Sequence, residues 1–180
     1  NGDFSVILDR RGEYFYFLFG CYYRDPAQQG IALARMRASD RFSPVGKVHK
    51  HYAGGWNEPG LNGRVTPVVP VNASWYSPQP DAFWGPSVHW NEALQQYVIL
   101  LNRAVDPAWK QEAIYLCLAA DLADPGSWSA PARLLETGGW YPQVIGCGAG
   151  MNGTDRAAGE VARLFVHGNS AHWMRFSKNG

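Results

Sequence analysis

The feature that most restricts this chain is a repeat of short strand-like runs. Ser5-Val6 returns as Ser87-Val88, 82 residues on. Tyr14 and Tyr97, like Ile31 and Ile114, stand 83 apart, and Asp40 and Asp121, each after a third run, stand 81 apart. Trp84-Gly85-Pro86-Ser87-Val88 returns as Trp140-Tyr141-Pro142-Gln143-Val144 after 56 residues. The runs themselves are apolar, aromatic or alternating and too short for surface helices, so they are expected as strands. They fall at 4–8, 14–19 and 31–36; at 87–90, 97–101, 113–118 and 132–135; and at 143–145, 161–166 and 172–176. The Ala/Leu/Met content of 31–36 also suits a short helix. Between the first two sets, residues 50–80 carry Gly54-Gly55, Pro59-Gly60, Asn62-Gly63 and four further prolines, and are expected as one long irregular insertion.

A recurring unit of about 50 residues and four strands has the size of a propeller blade. The expected fold is therefore all-β: a β-propeller of four-stranded antiparallel blades, about three of them present. As one domain over 1–180, it divides into a blade at 1–49, the insertion at 50–80, a blade at 81–136 and a partial blade at 137–180. A β-sandwich with chance similarity between its strands is the competing reading. A closed propeller takes ~4–8 blades. Three blades thus form part of a ring, with open faces that predict a homodimer or larger assembly.

Composition narrows the classes of function. The 16 Lys+Arg against 15 Asp+Glu leave a net charge of +1, without the basic excess of a nucleic-acid binder. No apolar run reaches the length of a membrane-spanning helix, and no signal peptide is visible. Cys21, Cys117 and Cys147 follow no metal-type spacing and are expected mostly as buried thiols, with one disulfide compatible with the sequence. No phosphate-binding glycine loop, G-x-S-x-G elbow or H-E-x-x-H motif occurs. No metal or cofactor is called for. Asn72-Ala73-Ser74 and Asn152-Gly153-Thr154 match the glycosylation sequon.

Two stretches resemble a known family. Asp81-Ala82-Phe83-Trp84-Gly85-Pro86-Ser87-Val88-His89-Trp90, followed by Tyr97-Val98-Ile99-Leu100-Leu101, is similar to the blade openings of the five-bladed arabinanase/xylosidase-type glycosidases, glycoside hydrolase family 43 and its relatives. Ala120-Asp121-Leu122 through Trp128-Ser129-Ala130-Pro131 resembles the stretch that ends such blades, and Asp3-Phe4-Ser5-Val6 with Gly12-Glu13-Tyr14-Phe15 resembles their first opening. The resemblance implies a partial five-bladed ring, a carbohydrate ligand at the channel mouth, and a periplasmic or secreted setting. It also implies that Asp3 matches the general base. The chain departs from the pattern elsewhere: Ser87 stands where the second blade often carries an acid, and Tyr141 or Pro142 where the third would. Glycoside hydrolysis uses a carboxylate pair flanking the scissile bond, so the full catalytic set is not present in this sequence.

The starts of the first strands of each blade supply the candidate site. Asp3 and, from the long insertion, Glu58 are the candidate catalytic carboxylates. Trp84, Ser87, His89, Tyr141, Gln143 and Arg103 are the candidate substrate-binding residues. Aromatic rings stack on the apolar faces of sugars while polar groups fix hydroxyls, and arginine recognises carboxylates, as in an anionic sugar. Three of these have a structural alternative: blade packing for Trp84, a channel hydrogen bond for His89, and a buried salt bridge for Arg103, as for Arg35 and Glu112. The function expected is a carbohydrate-active propeller that binds a sugar, with hydrolysis requiring further carboxylates; the rival is a non-catalytic binding or interaction module.

Overall fold

A computed structural model of the chain describes residues 2–149 and 153–178. Asn152 of the second sequon lies outside them. The protein is all-β. Its first sheet is built from β1 (Gly2–Leu8), β2 (Tyr14–Tyr22), β3 (Gln29–Arg37), β4 (His49–Tyr52) and β5 (Gly55–Pro59), paired antiparallel in that order, with the short β6 (Val69–Pro70) also on β3. The second sheet comprises β7 (Ala82–Asn91), β8 (Gln96–Ala104), β9 (Gln111–Ala119) and β10 (Ala132–Glu136), again in chain order. The third comprises β11 (Gln143–Gly146), β13 (Val161–Val166) and β14 (Asn169–Arg175). Between them, β12 (Ala157–Ala158) crosses back to pair in parallel with β7.

The sheets stack face to face, like successive blades. In β2, Tyr16 and Leu18 pack toward the second sheet, while Phe17, Phe19 and Cys21 belong to a separate cluster on the opposite face. In β3, Ile31 and Leu33 alternate in the same way with Ala32 and Ala34. This two-sided burial produces the unbroken apolar run at 31–34, and the segment 31–36 is a strand and not a helix. The second sheet is buried on both sides too. Tyr97, Ile99 and Leu101 face the first sheet, whereas Val98 and Leu100 face Val144, Ala162 and Leu164 of the third. Each fully buried Leu or Ile contributes about 1.5–3 kcal/mol, so the two inter-sheet layers hold the arc together. The first strands of the sheets gather at one edge, with β7 beside both β1 and β11.

The segment 50–80 is more regular than expected. The fourth and fifth strands of the first sheet occupy 49–52 and 55–59. Ala53 and Gly54, at φ of 48° and 82°, form the two-residue turn of a tight hairpin, and Gly55, which reads as loop with Gly54, opens the next strand. Cys21 and Cys117 are buried, as expected, and burial pushes their thiols up to about 11 and about 12. Cys147 is exposed, just beyond the end of β11, and all three are unbridged.

Candidate functional site

The repeat seen in the sequence is also a repeat of backbone shape. Asp3, Gly85 and Tyr141 each lie two residues before the matched Ser5, Ser87 and Gln143, and all three are left-handed, at φ of 48°, 57° and 53°. Bulges interrupt the ladders here, between Gly2 and Phe4 and between Trp84 and Ser87. Each kink turns the start of an inner strand toward a common point. The three residues line one groove of about 220 Å³, with Ser5, Ser87 and Gln143 beside them. The position equivalent to Asp3 in the second sheet is therefore Gly85, and not Ser87, which is the counterpart of Ser5.

Asp3 is the one carboxylate among the described residues lining this groove. Its two oxygens are held separately: the Tyr22 hydroxyl donates to Oδ2 at 3.0 Å and the Tyr141 hydroxyl to Oδ1 at 3.1 Å. Both phenols are pushed above their usual range, by burial first and then by Asp3, through its charge and its hydrogen bond, and so remain proton donors. The Tyr22 ring is seated on glycine: a Cβ at Gly20 would lie 2.6 Å from its hydroxyl. Tyr141 is set by buried Asn102, whose Oδ1 accepts from the Tyr141 backbone N–H at 3.1 Å while its Nδ2 faces the Trp84 and Gly85 carbonyls at 3.4 Å.

Aromatic rings extend outward from this carboxylate. Trp75 and Trp109 stack at 4.5 Å with planes 19° apart, and both rings approach Tyr22. Trp84 meets Trp109, Trp140 and Tyr141 edge-on. Trp109 and Trp140 are 46% and 40% exposed, so each keeps ring surface for a ligand. Trp109 is held left-handed, at φ 60°, costly for so bulky a residue. It is secured by Gln111, which donates to the Trp109 carbonyl and accepts from the Trp84 indole N–H. Of the described non-glycine residues at positive φ, Asp3 and Tyr141 line the groove and Trp109 stands beside Tyr22, whose hydroxyl holds Asp3; such strained backbone is a feature of functional sites.

The other sequence candidates are distributed as follows. Ser87 and Gln143 line the groove. Trp84 is buried behind Tyr141 and offers no open face. His89 is buried one step deeper, in a small cavity that shares Ser5, Ser87 and Gln143 and also contains Asp155 and Arg156. Burial lowers its pKa to about 4, its Nε2 has no hydrogen-bond partner among the described residues, and its ring meets Phe176 edge-on. Arg103 is not in the groove wall; it grips Asp81 through two 2.7 Å bonds and also reaches Glu112 and the Tyr115 hydroxyl. Glu58 lies on β5, four strands from β1, paired with Arg64 at 2.7 Å. At about 4.8 Å per strand, Glu58 does not share the groove that Asp3 lines. Arg64 holds the Glu58 carboxyl below its usual range, the opposite of what a general acid needs.

The reading from sequence did not single out Tyr22, Trp75, Asn102 or Trp109. Trp109 carried a usable signal. It follows Asp106-Pro107-Ala108 in the β8–β9 turn, the counterpart of Asp25-Pro26-Ala27 in the β2–β3 turn, and each Asp accepts from the N–H two residues on. A tryptophan in a polar hairpin turn has no core to enter.

The fold and groove define a blade-built all-β protein with a single carboxylate set among aromatic rings. No family model matches the sequence, and no curated protein does. Among solved structures, the endo-arabinase from Bacteroides thetaiotaomicron VPI-5482 is similar at a TM-score of 0.46 and 13% identity, covering 98% of this chain and 56% of that one. The chain thus spans about half the length of that protein.

Proposed function

We propose that this chain is a carbohydrate-binding propeller arc, with the sugar seated in the groove over Asp3 against Trp109, Trp140 and Tyr141. The observation that carries this reading is the Asp3 carboxylate, fixed by two tyrosine hydroxyls at the foot of a partly exposed aromatic wall. Such a carboxylate accepts hydrogen bonds from a pair of sugar hydroxyls, while indole faces cover apolar C–H surface. Ser5, Ser87 and Gln143 supply further polar contacts along the floor.

Binding is favoured over hydrolysis because the groove around Asp3 presents one carboxylate, whereas glycoside cleavage needs two about 5–10 Å apart. Hydrolysis is the second reading, and it requires a second acid from outside this groove. The motif resemblance sets the panel: arabinan and xylan oligosaccharides, titrated calorimetrically with product analysis of the same mixtures. Trp109→Ala is expected to weaken binding about 3–10-fold, the worth of one ring contact, and Asp3→Asn to weaken it further. Glu58→Gln serves as the control and leaves affinity unchanged. Binding that ignores Asp3→Asn and Trp109→Ala would overturn the reading, and sugar release that Asp3→Asn abolishes would move the protein to the hydrolase class.

A further inference from the structure

The first sheet carries a second cavity on its other face, away from the second sheet. About 400 Å³ in volume, it is walled by Phe17, Phe19 and Val48, with Phe4 and Leu61 at its mouth, and includes Lys50. Phe4 and Leu61 are 72% and 87% exposed, so the entrance is open. Lys50 on β4 is among the most deeply buried side chains, at 2% exposure. Its ammonium donates to the Tyr23 hydroxyl at 3.0 Å and the Gly63 carbonyl at 3.1 Å, and lies 5.7 Å from the Phe19 ring centre. Both acceptors are neutral. Glu58 is directly across the β4–β5 ladder, but Arg64 engages it. Among the described residues no ion pair reaches Lys50.

A cation buried among aromatic rings without an anion is retained at a cost, and a ligand carboxylate removes that cost. The volume lies within the range of small-molecule pockets, about 300–1,000 Å³. We propose that this cavity binds a small apolar carboxylic acid, its carboxylate directed at Lys50 and its hydrocarbon body against Phe4, Phe17 and Phe19. Charge complementarity selects this occupant. A purely apolar partner, or the apolar face of a second copy, would seal the ammonium in without a counter-charge. The inference does not rest on the sugar reading: Phe4 borders both spaces, but none of the groove's polar residues lines this cavity.

The test is calorimetric titration of the chain with octanoate and, as the uncharged probe of equal length, octan-1-ol, alongside light scattering. Octanoate is expected to bind at least 5-fold more tightly than octanol. Lys50→Met, which keeps length and removes charge, is expected to abolish that difference, and Leu61→Glu, at an exposed position, to expel octanoate by repulsion. Should Lys50→Met fail to fold, Leu61→Glu decides. Equal affinity for acid and alcohol, or octanoate binding unmoved by either substitution, would overturn the proposal. A dimer that Leu61→Glu splits, with octanoate unable to compete, would overturn it in favour of a second copy on this face.

Discussion

Asn102 is the point at which the third blade is pinned to the second, and Asn102→Ala probes it directly. The side chain is fully buried and has one firm bond, accepted from the Tyr141 N–H, and two long contacts to the Trp84 and Gly85 carbonyls. Removing it forfeits about 1 kcal/mol for the firm bond and leaves the part-buried Tyr141 N–H without its acceptor at about 1–3 kcal/mol. The sum is roughly 2–4 kcal/mol. For a domain of this size about 2–4 °C of melting temperature goes with each kcal/mol, so calorimetry should show a fall of roughly 5–15 °C. The Tyr141 backbone is released at the same time, and with it one of the two hydroxyls on Asp3, so oligosaccharide affinity should drop more than in Tyr141→Phe, which removes the hydroxyl alone. A variant that melts within 1 °C of the parent, or binds as the parent does, would refute the view that this amide sets the groove.

Three further outcomes are expected. Gly85→Ala places a methyl 2.5 Å from Asn102 Nδ2 on a left-handed backbone; it should destabilise by about 1–3 kcal/mol and weaken ligand binding, read by urea titration and calorimetry. His89 has its pKa lowered from 6.5 to about 4 by burial, so the folded state resists a proton that the unfolded chain accepts. Stability is full above pH 6.5 and falls as pH drops toward 4, by roughly 3 kcal/mol at about 1.4 kcal/mol per pH unit; His89→Met should flatten that part of the denaturation profile, and an unchanged slope would refute the assignment. Arg103→Met breaks a cluster with Asp81, Glu112 and Tyr115 that is about a quarter exposed. Discounted for solvent screening, the loss should be about 1–2 kcal/mol, reduced in high salt, with ligand affinity untouched.

By itself the sequence determined the longer strands and the repeat, because apolar alternation and turn chemistry are local, but not the strands at 49–52 and 55–59, whose glycines and prolines read as loop. The offset of 82 residues that matches Ser5 to Ser87 also matches Asp3 to Gly85, so the equivalence of the groove positions was already written there. Asp3, Ser87, Tyr141 and Gln143 were legible as groove-lining positions for the same reason: each falls at or two residues before a matched position of the repeat. Tertiary structure decided the rest. Trp84 and Trp140 occupy the same place in their repeats, yet one is buried and the other open, because only Trp84 is covered from both sides. Arg103 and Glu58 look like binding groups in the sequence, but their charges are taken by Asp81 and Arg64. Tyr22 and Tyr141 are 119 residues apart in the chain and meet on the two oxygens of one carboxylate. Local propensity can place a strand, but only the stacking of whole sheets brings such distant side chains within hydrogen-bond reach.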